Sequence, residues 1–597
     1  MITWSRSAPE NPARSTRTES IVADPKSALT SRFRAALAAA FGDELAGTDP
    51  LIRPSSFGDF QANVAMSLAK TLGRPPRAVA AAIVEHLDAD DLCARVEVSG
   101  PGFVNLTLRS DWIAEQASAL AGDQRLGIAP AASPETVVVD YSAPNAAKEM
   151  HVGHLRSTVI GDALSRLLGF LGHRVIRQNH IGDWGAPFGM LVEHMVDIGA
   201  AEPGAELSVG DLNEFYQQAR VKFDGYPGFA ERARRRVVAL QSGDPATLAL
   251  WRRFLDESMR HFHAIYHRLG VLLTDDDIDA ESSYNPELPE VVVELKAKGL
   301  AEVSQGALCV FPPGFKGRDG ERLPLLVRYS HGGYGYATTD LAAVRRRVRD
   351  FDATRLVYVV GSPQALHLSM VFASGRMAGW LDGHRAEHAQ FGSILGADGR
   401  MLRTRSGDPV KLVDLLDEAD ERAAKIVQDR GELDPRSRSA VARAVAMGAL
   451  KYFDLSFQRE RDYVFDWDRM LAFDGNTGPY LQYAVTRIRS IFRRAGIDER
   501  GASSGKILLD EAAERALALK LLGLGEVVAT VAVSMEPHRL CTYLFELATA
   551  FTDFYEACPV LQADEPTRGS RLTLCALVAR TLTLGLGLLG IKVPERM

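Results

Sequence analysis

Thr136-Val137-Val138-Val139-Asp140-Tyr141-Ser142, running through Ala143 into Pro144-Asn145-Ala146-Ala147-Lys148-Glu149-Met150-His151-Val152-Gly153-His154, is the stretch from which the fold can be read. Its opening run is apolar and rich in β-branched side chains, which suits a strand buried on both faces of a parallel sheet. A helix over about 152–171 is predicted next, because Leu155, Val159, Ile160, Leu164, Leu167, Leu168 and Leu171 recur at helical spacing. Gly172 closes it, and Arg174-Val175-Ile176-Arg177-Gln178-Asn179 reads as the following strand. Strand, helix and strand in this order predict an α/β fold with a Rossmann-like parallel sheet.

The segment from Pro144 to His154 then falls at the carboxyl end of the first strand, where open parallel sheets bind ligands. It also opens a helix, whose unpaired N–H groups and positive dipole end favour phosphate. Gly153 would let a nucleotide approach the backbone closely. His151 and His154 are three residues apart, on one face of the first turn. Two imidazoles there can donate hydrogen bonds to a phosphate as charge builds in a transition state. Half of a metal site is a weaker alternative, since no cysteine or acidic partner motif is close by. Capping or core histidines are another. A dinucleotide site is excluded, because this turn lacks GxGxxG.

Working outward, residues 28–43 and 61–72 read as helices, and 94–108 as two strands around Ser99-Gly100-Pro101-Gly102. They make a small α+β domain over 28–120, preceded by a polar tail, 1–27, expected to be disordered. A domain over 121–470 carries the sheet, with a helical, charged insertion at 200–300 and strand-like runs at 308–311 and 356–361. From about 440 the pattern is helical, giving an all-α domain over 471–597. A chain of 597 residues is long enough for two to four domains. Its net charge of −7 argues against a protein coated in basic residues. Between 470 and 597 there are 14 Lys plus Arg against 14 Asp plus Glu, so any RNA contact there needs a one-sided patch. Arg487, Arg489, Arg493 and Arg494 form one candidate. Tyr543, Phe545, Phe551, Phe554 and Tyr555 suit a helix-bundle core better than a base-stacking platform. The five cysteines, at 93, 309, 541, 558 and 575, form no CxxC, which fits reduced thiols and neither a disulfide framework nor a zinc site. No uninterrupted apolar run of about 18 residues occurs, so no membrane span is expected.

HxGH alone is shared by nucleotidyl transferases and class I aminoacyl-tRNA synthetases. The longer run from Ser142 to Thr158 resembles the first signature of the arginyl-tRNA synthetase family, and His180-Ile181-Gly182-Asp183-Trp184-Gly185 resembles its next strand end. The likeness extends to Gly58–Asn63, Gly100–Leu106, Asp466–Met470, Gly475–Ala484 and the final Pro594-Glu595-Arg596-Met597. It implies an enzyme that ligates L-arginine to its tRNA through an arginyl-adenylate. It also implies an N-terminal domain that touches the tRNA elbow and a C-terminal domain that binds the anticodon. Lys148, His151 and His154 would be catalytic. Pro144, Gly153, His151 and His154 would hold ATP, with Arg400, Arg403 and Arg405 on a mobile loop over the triphosphate. That loop, Gly396–Gly407, lacks the lysines usual in class I, and Lys148 is expected to take over; a plain basic surface hairpin is the alternative.

Arginine recognition needs a carboxylate that accepts two parallel hydrogen bonds from a guanidinium. Tyr336 and Asp340 are four residues apart on a probable helix and share a face. The resemblance assigns them to the arginine side chain, together with Gln364, Asp140, Ser142, Asn145 and His151. Without it, Asp340 reads as a solvated charge balancing Arg345–Arg347. ATP would enter with Mg2+, with no resident metal and no zinc, and the enzyme is expected to be a cytoplasmic monomer. Another HxGH enzyme would not need the all-helical C-terminal domain. A non-catalytic RNA-binding relative would be expected to lose the histidines, Lys148 or Asp340.

Overall fold

The computed structural model describes residues 22–146, 148–199, 212–330, 332–404, 409–428, 434–499 and 505–597. Thr136–Asp140 is a strand, and Val137, Val138 and Val139 are wholly buried. It lies inside a four-stranded sheet ordered Arg385–His388, Arg355–Tyr358, Thr136–Asp140, Arg174–Gln178, every pair parallel. Pairing on both edges and cover on both faces explain the continuous apolar run. The chain leaves Thr136–Asp140 on one side to reach Arg174–Gln178 and returns on the other side much later as Arg355–Tyr358. The strand order therefore switches beside Asp140, which opens a crevice at the carboxyl ends of the strands. The helix Val152–Phe170 starts at that crevice.

Between the two halves of the sheet come the helices Ala186–Asp197, Leu212–Gly225, Pro227–Gln241 and Pro245–Leu269. A three-stranded antiparallel sheet of Ala301–Ser304, Ala307–Val310 and Leu325–Arg328 follows. The helix Tyr336–Arg349 then leads back to the main sheet.

The chain forms two compact units, and neither follows the chain order of the expected domains. One holds Pro130–Ser490, Thr530–Ala548 and Leu582–Met597, and includes the crevice. The other holds Met1–Ala129, Ile491–Ala529 and Thr549–Thr581, so the N-terminal α+β module shares a core with C-terminal helices. Arg515, from the helix Ala512–Leu521, makes the link specific. Its Nη1 and Nη2 donate to the two carboxylate oxygens of Asp59 at 2.8 and 2.6 Å, and Nη2 also donates to the carbonyl of Leu108 at 2.9 Å.

Two expected boundaries move. Phe60–Ala62 is a strand rather than the start of a helix, and the helix runs Val64–Leu72. Phe60 and Ala62 alternate inward and pair with Phe103–Leu108, so period 2 rules until Val64. The first helix begins at Pro25, inside the expected tail, because Asp24 accepts the N–H of Ser27 and caps it. Residues 1–21 of that tail lie outside the described residues. Ala512–Ser534 and Thr567–Leu588 are long and apolar enough to cross a membrane by length and composition. The first is two helices, Ala512–Leu521 and Leu524–Ser534. The second is a core helix, with Leu574, Leu577, Val578 and Leu582 fully buried. The aromatic group divides the same way: Tyr543, Phe551 and Phe554 are buried core.

Candidate functional site

His151 is the N-cap of Val152–Phe170, and His154 is the third residue of that helix. The two histidines cap each other's turn. Nδ1 of His151 accepts the N–H of Gly153 at 3.0 Å, and Nδ1 of His154 accepts the N–H of His151 at 3.0 Å. Burial pushes the His154 imidazole down to about 3, and burial with the nearby Lys148 charge lowers that of His151. Both rings are therefore neutral at pH 7. A neutral ring whose Nδ1 accepts must carry its proton on Nε2. Each ring at this helix N-terminus thus carries Nε2–H as its donor. Gly153 is required first by His151 itself, since a Cβ there would come within 2.8 Å of the His151 ring.

Lys148 lies on the approach to this turn with Nζ 4.7 Å from the centroid of the Tyr216 ring, which comes from the inserted helix Leu212–Gly225. Pro144 accepts the N–H of Gly182 at 3.2 Å and fixes the loop. Asn145 is exposed on the same loop and bridges Gly182, where a Cβ would collide with Asn145 Oδ1.

The loop expected over phosphate starts after Ile394–Leu395 and folds as a hairpin, with bridges Leu395↔Met401 and Arg403↔Pro409. Arg400 is exposed on it and Arg403 lies on its returning leg. Arg405 lies outside the described residues. The hairpin returns to the histidines, because Val152 N–H donates to Val410 at 3.0 Å and Leu412 N–H donates to Met150 at 2.8 Å.

A second polar group lies on the helix Tyr336–Arg349. Tyr336 is its first residue and is exposed; Asp340 follows one turn later. Asp340 Oδ2 lies 2.5 Å from His367 Nε2, and that hydrogen bond raises the imidazole above its ordinary value against the pull of burial. Asp340 does not balance the following arginines. Arg345 pairs with Glu290 and Glu294, and Arg346 with Glu287. Gln364 is exposed at the end of the short turn after strand Arg355–Tyr358.

Two expected arginine ligands are placed differently. Asp140 is buried and its Oδ2 lies 2.8 Å from Nη1 of the fully buried Arg347. Arg347 also pairs with Asp279 at 3.1 Å and donates to Gln178 at 3.0 Å. Asp140 is thus engaged by the chain's own guanidinium. Ser142 is buried, and its hydroxyl is shared between Tyr266 at 2.8 Å and Thr158 at 2.9 Å. Ser142 and Ala143 both have positive φ, so this network holds a strained turn between the strand and the histidine segment.

Glu281 was not among the expected residues. It opens the turn Glu281–Tyr284, and its N–H donates to Ile181 at 3.0 Å. Burial lifts its carboxyl to about 7; His180 opposes the rise, while Asp183 and Asp340 add to it. Tyr336 feels its charge as well. Glu281 and Asp340 thus feel each other's charge, two acids suited to a cationic side chain. Nearby, burial works against the charge on His180, yet the carboxylate of Asp279, 3.9 Å from its Nδ1, and that of Asp140 carry it up to about 9. No sequence pattern marks Glu281.

The five cysteines are buried free thiols, and among the described residues no three His, Cys, Asp or Glu side chains cluster as a metal site.

Comparison with known proteins follows the same lines. Residues 116–467 match the class I (R) tRNA synthetase catalytic domain, 481–597 the DALR anticodon binding domain, and 27–108 the arginyl tRNA synthetase N-terminal domain. The arginine–tRNA ligase of Thermobifida fusca is 59% identical over 96% of this chain and 100% of its own length. That of Synechococcus elongatus is 50% identical, again over 96% and 100%. The crystal structure of the arginyl-tRNA synthetase from Plasmodium falciparum superposes with a TM-score of 0.84 at 28% identity, over 96% of this chain and 100% of that one.

Proposed function

Since the chain belongs to the arginyl-tRNA synthetase family of class I enzymes, we propose how its own residues divide the work of charging tRNA with arginine. The reaction is that of the class. A carboxylate oxygen of arginine attacks the α-phosphorus of ATP, pyrophosphate leaves, and the arginyl group passes to the 3′-terminal ribose of tRNA. No covalent enzyme intermediate is needed, so the residues act by positioning and electrostatics.

The observation that carries the reading is the reciprocal histidine cap. It fixes both tautomers and leaves Nε2–H as the donor of each ring at the start of the helix. His151 and His154 would stabilise the charge gathering on the α-phosphate, with Pro144 and Gly153 shaping the backbone that ATP meets. Lys148 and the arginines at 400, 403 and 405 would follow the leaving pyrophosphate. His154→Asn separates cap from catalysis, because the Asn Oδ1 can still accept the His151 N–H while the Nε2–H is lost. Its kcat for pyrophosphate exchange, measured with tRNA present, should fall about 100-fold with the melting temperature kept. A wild-type kcat would remove His154 from the phosphate.

Tyr336, Asp340, Glu281 and Gln364 would receive the arginine guanidinium, with Asn145 and His151 nearer its α-amino acid end. Asp140 and Ser142 act from behind, holding the turn that presents Asn145. A pH dependence follows. Free Glu281 titrates at about 7, and a bound guanidinium favours its ionised form, so binding expels the proton. Affinity for arginine should therefore rise as pH increases through 7 and level off above it. The KM for arginine should fall up to about tenfold between pH 6 and 8. Glu281→Gln should flatten the profile; an unchanged slope in that variant would assign it to another group.

ATP would enter as its magnesium complex, the ion being part of the substrate, and the thiols would stay free of zinc. The domain at 28–120 would touch the tRNA elbow and that at 471–597 the anticodon. We place the enzyme in the cytoplasm, where its five unpaired thiols would stay reduced, and expect it to act as a monomer.

A further inference from the structure

Lys411 has no place in the expected site, yet the fold sets it beside His151. The bonds from Val152 N–H to Val410 and from Leu412 N–H to Met150 leave His151 and Lys411 as directly opposed residues of an antiparallel bridge. In such a pair both side chains project to one face, with Cβ atoms about 4.5–5.5 Å apart. The backbone at Lys411 is also firm. It leads straight into the helix Leu412–Gln428, whose Leu412, Leu415 and Leu416 are buried. Lys411 is thus stitched to the signature histidine. The arginines at 400 and 403 sit on the hairpin instead, and Lys148 rests on Tyr216.

Its partner is Glu149, with Nζ 2.7 Å from Oε2. The ammonium remains partly open to solvent, 29% exposed against 13% for Glu149. A carboxylate two residues before His151 would repel a triphosphate, and the pair cancels that charge in the empty crevice.

We propose that Lys411 is a further phosphate-binding residue of this active site, held by Glu149 at rest and transferred to the β,γ-phosphates when ATP binds. The proposal rests on the reading that phosphate sits at His151 and His154. An ammonium opposite His151 is within side-chain reach of the same anion, and as a compact point charge it can exchange one oxyanion for another without changing its own geometry. Held on a firm strand end, it supplies a standing positive charge where the hairpin lacks the lysines usual in its class.

The test is calorimetric binding of Mg-ATP, pyrophosphate and AMP to the full-length enzyme. Lys411→Ala should weaken ATP and pyrophosphate about 10- to 100-fold and leave AMP unchanged, and Lys411→Arg should restore most of the loss. Glu149→Gln should act in the opposite direction and tighten ATP, because the carboxylate that holds the ammonium is gone. A structural ion pair would behave otherwise. Both variants would then lower the melting temperature alike, with ATP and AMP affected equally, and that result overturns the proposal. If Lys411→Ala does not fold, Glu149→Gln decides alone: tighter ATP supports the exchange, unchanged or weaker ATP refutes it. His151→Asn separates the two levels. If it slows pyrophosphate exchange while Lys411→Ala leaves ATP binding intact, only the role of Lys411 falls. If it is also silent, the phosphate site itself is misplaced.

Discussion

Asp340→Asn is expected to raise the KM for arginine about 30- to 1000-fold, equal to about 2–4 kcal/mol, and to leave the KM for ATP within a few-fold. A carboxylate offers about four lone-pair sites, and His367 takes one of them at Oδ2. The fork of a guanidinium can still meet both oxygens. An asparagine presents one oxygen and one NH2, and the NH2 points donors at donors. The loss is thus of a charge-assisted pair together with a repulsive contact. Damage to the fold should be small, since Arg345, Arg346 and Arg347 are held by Glu290, Glu294, Glu287, Asp140 and Asp279 rather than by Asp340. His367→Gln is the companion variant. It keeps a donor near Asp340 without the charge, so its arginine KM should move far less. An unchanged KM for arginine in Asp340→Asn would take the residue out of the pocket.

What could be read from the chain follows from the range over which each interaction acts. The strand Thr136–Asp140, the helix after it and the histidine turn are local, and their periodicity and order are enough to predict these elements and their sequence. The partners of Asp140 and Ser142 are not legible because they are remote. Nothing near Asp140 announces that Arg347 will be buried against it, or near Ser142 that Tyr266 will take its hydroxyl. Glu281 is hidden for the converse reason, since only the fold shows that its carboxyl is shielded and feels the charge of Asp340. Lys411 depends on the register of an isolated bridge, and two-residue pairings leave no pattern in the sequence. The compact units tell the same story at larger scale: the Arg515–Asp59 pair joins residues from opposite ends of the chain, which no composition shift reveals.

Lys148→Ala should lower kcat by roughly 10²–10³ with the KM for ATP changed only a few-fold. An aromatic ring from the inserted helix holds Lys148. Its ammonium rests over the ring of Tyr216, a contact worth about 0.5–1 kcal/mol at a partly exposed site. That hold is weak enough to release toward a phosphate, so ground-state binding of ATP owes it little. As the bond from the α-phosphorus to pyrophosphate breaks, negative charge moves outward onto the leaving group. Arg400 and Arg403 stand on a hairpin, where ordering a long side chain costs up to about 2 kcal/mol each. Lys148 is three residues ahead of His151 and needs only a change of rotamer to follow that charge. The effect therefore falls on rate, whereas loss of Lys411 falls on affinity, and the two variants should be told apart by kcat against Kd. A solvated loop lysine would leave both constants where they are. Tyr216→Leu is the control for the resting contact: it frees the ammonium and should keep kcat. Arg403→Lys in the Lys148→Ala background is the sharper measurement, because partial recovery of kcat would mean that both positions serve one phosphate. No recovery, with Lys148→Ala itself near wild type, would mean that the lysine before the histidine turn does not compensate for the loop.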